Sequence, residues 1–184
     1  MKALVVYESS FGNTGQIARA VWEGLFSRIP DVALLEAGAA PTCLPLDVEL
    51  VVVGGPTQAF GMSRPRTRAD AQAQAGTTGA GPSTGVREWL AALAPPDRLV
   101  RAATFDTRIY SPHLPGSAAA GARRTLRHAG FDVTAGAESF WVLGTKGPLR
   151  DGELERAFAW GVGLTDLLLG GLRDDAEPDP TPSR

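Results

Sequence analysis

Val5-Val6-Tyr7-Glu8-Ser9-Ser10-Phe11-Gly12-Asn13-Thr14 is the stretch on which the reading of the whole chain turns. Ala3 to Tyr7 is an apolar run of the kind buried on both faces of a parallel sheet. Beyond the polar turn, Ile17, Ala18, Val21, Trp22, Leu25 and Phe26 recur at three- and four-residue intervals, so one face of a helix starts near Thr14. A strand-to-helix turn of this kind gathers free backbone N–H groups and the positive end of the helix dipole at one point, where an anion is best held. Ser9, Ser10 and Thr14 add hydroxyl donors, and Gly12 lets the backbone approach closely. The turn has no Lys or Arg, so a phosphate there is held by neutral donors, which suits a resident monophosphate better than a triphosphate that must be cleaved. Ser and Thr before a helix also serve as simple caps. Three hydroxyls with Gly and Asn in one short turn weigh toward the phosphate.

The same alternation continues outward. Val32 to Glu36, Leu50 to Val53, Ala102 to Phe105 and Ser139 to Leu143 read as further strands. Val86 to Leu93, Ala118 to Ala129 and Leu154 to Leu169 read as helices, although Gly121, Gly161 and Gly163 lower the propensity. Strands alternating with helices predict an α/β fold, a doubly wound parallel sheet of five strands covered on both sides. At 184 residues the chain fits one domain, placed at 1–172. Residues 63–85 contain, prolines aside, no apolar side chain larger than Ala and are expected to form a long flexible insertion loop after the third strand. Residues 173–184, with three prolines and four acids, are expected to form a disordered tail.

Several function classes fall away on composition. Lys and Arg number 18 against 20 Asp and Glu, a net charge of −2 that advertises no nucleic-acid surface. Removing the tail brings the body to neutrality, while the insertion carries Arg64, Arg66 and Arg68 against Asp70 alone. Cys43 is the only cysteine, and His113 and His128 form no cluster with it, so neither a disulfide scaffold nor a metal site is expected. The N-terminal apolar run is too short for a signal peptide, no transmembrane segment is read, and a cytoplasmic protein is expected. The turn lacks the GxGxxG of a dinucleotide site, Gly54 and Gly55 stand where a receiver domain needs an aspartate, and the turn has no phosphatase cysteine.

Val5 to Thr14, with Ala18 and Val21 after it, resembles the flavodoxin signature at every constrained position, and the resemblance follows the βα rhythm to about Gly170. It implies a strand order of 2-1-3-4-5 and FMN at the carboxyl end of the sheet. The general rule for open α/β sheets independently places a ligand at the switch between the first and third strands. The resemblance implies three cofactor-binding loops. The first is Ser9, Ser10, Phe11, Gly12, Asn13 and Thr14. The second is Pro56, Thr57, Gln58, Ala59, Phe60 and Gly61, in which Gly61 admits backbone amides to the ring, Thr57 bonds the ribityl chain or phosphate, and Phe60 is either a flat wall or a packing residue. The third is Phe105, Asp106, Thr107 and Tyr110, where Tyr110 either covers the outer face of the ring or sits on the surface. No Gly-Asp pair precedes Tyr110, and Pro112 follows it, a departure from the commonest family pattern. His113 reads as solvated, and the tryptophans as packing.

No catalytic constellation stands out. The resemblance implies an FMN-binding electron-transfer protein that shuttles electrons between redox protein partners, tuning the cofactor and not catalysing a reaction of its own. The alternative is an FMN-dependent oxidoreductase acting on a quinone or similar flat substrate, of the protoporphyrinogen-oxidase or NAD(P)H:quinone type, with the insertion as lid or as an arm docking on a membrane surface.

Overall fold

In chain order the elements are β1 (Lys2–Tyr7), α1 (Asn13–Phe26), β2 (Asp31–Glu36), β3 (Val48–Gln58), β4 (Gly61–Met62), α2 (Pro65–Ala75), α3 (Val86–Ala92), β5 (Arg101–Ile109), α4 (Ala118–His128), β6 (Ala137–Val142) and α5 (Glu153–Asp174). The computed structural model describes residues 2–75, 84–111, 115–133 and 135–174. The main strands lie in the order β2-β1-β3-β5-β6, all parallel, and β4 folds back antiparallel on the end of β3 through Thr57 and Met62. Leaving out the two-residue β4, this is the expected 2-1-3-4-5 order.

The two faces of the sheet follow from the period of two along each strand. Val5, Val52, Ala103 and Phe105 point to one side, where they pack with Ile17, Val21 and Leu25 of α1 and with Ala157 and Leu164 of α5. Leu4, Val6, Val51, Val53 and Ala102 point to the other, against Trp89 and Leu90 of α3 and Ala122 and Leu126 of α4. Each fully buried Val or Leu stabilises the fold by about 1.5–3 kcal/mol, so this double-sided burial sets the strand order. On the first side α1 and α5 meet at backbone distance. A Cβ added to Gly24 would lie 2.2 Å from the Phe158 carbonyl oxygen, and one added to Gly161 would lie 2.4 Å from that of Val21.

Three expectations are corrected. The third and fourth main strands run well beyond Val53 and Phe105, to Gln58 and Ile109, because parallel pairing of Gly54, Gly55 and Pro56 with Phe105, Asp106 and Thr107 overrides the weak strand propensity of Gly and Pro. Within residues 63–85, expected as a loop, Pro65–Ala75 is a helix. Pro65 supplies a preset first turn, and Ala69, Ala71, Ala73 and Ala75 are the best helix formers, so propensity replaces the missing apolar stripe. Arg173 and Asp174, assigned to the tail, belong to α5. The remainder of the insertion (76–83), the remainder of the tail (175–184) and His113 lie outside the described residues.

Candidate functional site

The carboxyl ends of β1, β3 and β5 meet at a cleft of about 320 Å³, within the ordinary range of roughly 300–1,000 Å³ for small-molecule sites. Ser10, Phe11, Asn13 and Thr14 form its floor, Pro56, Thr57, Gln58 and Ala59 one wall, and Thr107, Arg108, Ile109 and Val142 the other, with Thr145 at the rim. The fourth side comes from α2, through Thr67, Asp70, Ala71 and Gln74.

The floor is the first turn of α1. Gly12 precedes it in the left-handed region at φ +84°, a conformation that favours glycine, and a Cβ there would meet open space. Gln16 N–H bonds the Gly12 carbonyl at 3.0 Å and Gly15 N–H bonds the Ser9 hydroxyl at 3.2 Å. The N–H groups of Asn13 and Thr14 find no acceptor among the described residues, as is usual in the first turn of a helix. Thr14 is buried and its hydroxyl lies 2.7 Å from that of Thr107, tying α1 to β5. Asn13 donates to the Lys146 carbonyl at 3.0 Å, and the Lys146 ammonium donates to the Gln74 carbonyl at 2.6 Å, so the turn after β6 bridges the floor and α2.

In the second loop, Gln58 Nε2 donates to Ser10 at 3.1 Å, while Gln58 Oε1 is buried with no partner among the described residues. Thr57 donates to Asp106 Oδ2 at 2.8 Å and accepts from Ala118 N–H at 2.8 Å, so it also caps α4. Ala59 and Phe60 both hold positive φ, 44° and 70°. That places the chain reversal between β3 and β4 at two non-glycine residues, a strained turn of the sort that collects at ligand sites.

Of the residues expected at a cofactor, Ser10, Phe11, Asn13, Thr14, Pro56, Thr57, Gln58, Ala59 and Thr107 line one cleft. Ser9 and Gly12 shape its floor from behind. Phe60 and Gly61 are not on the lining; Phe60 is 63% exposed beside it. Phe105 and Asp106 are corrections. Phe105 is 1% exposed, edge-on to Phe140 and Trp160, and fills the space over Gly54, where an added Cβ would lie 1.9 Å from its ring. Asp106 is buried and serves α4, accepting from Thr57, Ser117 and the Ala119 N–H. Both misplacements follow from β5 running to Ile109, which moves the loop four residues on. Tyr110 also lies off the lining: its ring is edge-on to Trp141 at 5.8 Å and capped by the Arg150 guanidinium at 4.3 Å. Trp22 donates to the Val32 carbonyl and Trp89 is buried, so both pack as expected.

The wall from α2 went unread in the sequence. Its anchor is Arg68, 5% exposed, which pairs with Glu88 at 3.0 Å and bonds Ser63 at 3.0 Å. Glu8, directly after β1, is also buried and accepts from Val86 N–H at 2.9 Å. Burial alone would raise the Glu88 carboxyl, but Arg68 and the Gly85 N–H hold it below the usual glutamate value. Arg68 therefore does not add free positive charge to the cleft, as its sequence position suggested. Among the described residues no group of His, Cys, Asp and Glu could hold a metal ion, and no helix is long and apolar enough to cross a membrane.

No protein-family model and no curated protein matches the sequence. Solved structures are. An archaeal flavodoxin aligns with a TM-score of 0.61 at 20% identity over 92% of this chain and 99% of its own. Flavodoxin 2 from Bacillus cereus aligns at 0.65 and 16% identity over 91% and 99%. The flavodiiron protein from Giardia intestinalis aligns at 0.60 and 21% identity over 96% of this chain, which spans 38% of that longer protein. With its strand order, its two packed faces and a cleft at the β1–β3 switch point, this chain has a flavodoxin-like α/β fold.

Proposed function

We propose that the cleft binds FMN and that the protein passes electrons between redox partners. One observation carries the reading: the first turn of α1 holds two N–H groups for which the described residues supply no acceptor, beside the hydroxyls of Ser10 and Thr14 on the cleft lining. These residues fit a phosphate monoester, and the partnerless Gln58 Oε1 beside Ser10 fits the hydroxyl of a ribityl chain. The turn at Ala59 and Phe60 would meet the ring system. Bound there, FMN supplies reversible one- and two-electron chemistry. The protein's own residues hold the phosphate, fix the ribityl chain and narrow the mouth with α2.

The experiment is a fluorescence titration of the flavin-free protein with FMN, riboflavin and FAD. FMN should bind tightest, riboflavin more weakly for want of the phosphate, and FAD weakly or not at all. Equal affinity for FMN and riboflavin overturns the phosphate assignment, and no binding overturns the reading.

A second reading, an FMN-dependent oxidoreductase acting on a flat substrate such as a quinone, is favoured by Tyr110. Trp141 and Arg150 engage this ring, so it does not lie over the cleft, and a flavin would keep one face open. Rapid multiple turnover of NAD(P)H and a quinone by the flavin-loaded protein alone selects this reading; the carrier needs an added reductase.

A further inference from the structure

Helix α2 closes the fourth side of the cleft with Thr67, Asp70, Ala71 and Gln74, residues spaced to share one helix face. The helix is held unevenly along its length. At its first turn the buried Arg68 guanidinium bonds Ser63 at 3.0 Å and pairs with Glu88 at 3.0 Å, and the Thr67 hydroxyl accepts from Arg64 N–H at 2.9 Å. Arg87 of α3 fixes the approach to that turn, donating to the Met62 and Ser63 carbonyls at 2.7 and 2.9 Å. Beyond it, Ala71 is the one buried side chain among the described residues of the helix, and a single methyl offers little apolar surface to hold it.

The last turn is tied down by an exposed bond from the Lys146 ammonium to the Gln74 carbonyl at 2.6 Å. Carbonyls of a last helical turn have no partner within the helix, and a lysine satisfies one of them while meeting the negative end of the dipole. The post that carries this lysine is firm. Asn13 Nδ2 donates to the Lys146 carbonyl at 3.0 Å, and a Cβ added to Gly147, at φ +99°, would lie 2.5 Å from Asn13 Oδ1, so the turn after β6 sits directly on the cleft floor. An exposed charged contact shifts an equilibrium by about two- to fivefold. Separating a buried ion pair such as Arg68 and Glu88 shifts it by far more. One end of α2 is therefore built to stay and the other to let go.

We infer that α2 is a gate on the cleft, hinged at Arg68 and latched by Lys146 on the Gln74 carbonyl. Unlatched, the last turn swings away from the mouth and a ligand enters or leaves; latched, Thr67, Asp70 and Gln74 stand between the ligand and solvent. Lys146 engages α2 and not the ligand, so it governs the rates of exchange more than the affinity. For the identity of the ligand this rests on the proposed flavin site, whereas the motion belongs to the chain alone.

The test has one arm without flavin and one with it. In the flavin-free 15N-labelled protein, relaxation dispersion should report microsecond-to-millisecond exchange at the amides of Asp70, Ala71, Gln74 and Lys146, and none in α4. Lys146→Met should raise the open population about two- to fivefold, and Lys146→Arg, which keeps a donor on the Gln74 carbonyl, should return it toward wild type. In stopped-flow mixing with FMN, Lys146→Met should raise the association and dissociation rate constants together, by about the same two- to fivefold, so that Kd moves less than either. In a Cys43→Ser background, joining Gln74→Cys to Lys146→Cys with a cleavable bismaleimide should slow both rates until the bridge is cut. Dispersion absent from α2, rates unmoved by Lys146→Met or by the bridge, or a rise in dissociation alone, which would make Lys146 a ligand contact, overturns the inference. Failure to bind FMN would sink the flavin reading only, since the relaxation arm decides the gate without it.

Discussion

The hydroxyls of Thr14 and Thr107 lie 2.7 Å apart, buried, joining the first turn of α1 to the end of β5 beneath the cleft. Removing either leaves the other unsatisfied, at a cost of about 1–3 kcal/mol. Thr14→Val and Thr107→Val should each lower unfolding free energy in urea by that amount, and the double variant should lose less than the sum. Thr14→Val should also weaken FMN binding roughly tenfold, since 1.4 kcal/mol is a factor of ten. Additive losses would show that the two hydroxyls act independently.

Arg68 joins α2 to the body through Glu88 and Ser63. Arg68→Met should destabilise the protein toward the low end of about 3–5 kcal/mol, because Glu88 keeps a third of its side chain in solvent. Deleting residues 66–82 should lower the melting temperature too, although the composition of the segment suggested a dispensable loop. A melting temperature unchanged by both would mean that α2 docks without consequence for stability.

Glu88 carries a pH signature. Its folded carboxyl lies below its unfolded value, so its contribution to stability is complete above the unfolded value and is lost as pH falls through the folded one. The wild type should therefore lose more melting temperature between pH 6 and pH 3 than Glu88→Gln does. Parallel curves would show that the Arg68 pair does not couple to folding.

Gly54→Ala should be among the more damaging conservative changes in the sheet, since the Phe105 ring occupies the space of the new methyl. Overpacking of this kind costs about 1–3 kcal/mol. Adding Phe105→Leu should recover part of the loss in the same urea assay.

Much of the architecture was readable because burial on both faces of a parallel sheet leaves short β-branched runs such as Leu50 to Val53, bounded here by Gly54, Gly55 and Pro56. The place of the first turn of α1 at the cleft was readable because an apolar run, a polar turn and a helical stripe follow one another directly from Ala3 to Phe26. Phe105 and Asp106 were misassigned because strand ends are set by pairing with a neighbour, which local composition does not encode. Helix α2 was missed because alanine supplies propensity without an apolar stripe, and its anchor joins Arg68 to Glu88, twenty positions away. Tyr110 was left open between cover and surface because the Arg150 that caps it is forty residues distant.

At Gly24 and Gly161 the two helices on one side of the sheet touch through main chain, with no side chain between them to act as a cushion. A side chain can switch rotamer to absorb a displacement; a carbonyl against a Cα has no such freedom. The carboxyl-terminal half of α1 is thus seated on α5 as a rigid bearing, and the helix carries that fixed position forward to the cleft. A Cβ at either glycine would meet main chain that cannot swing aside, so Gly24→Ala and Gly161→Ala should each force the two helices apart and lower the melting temperature.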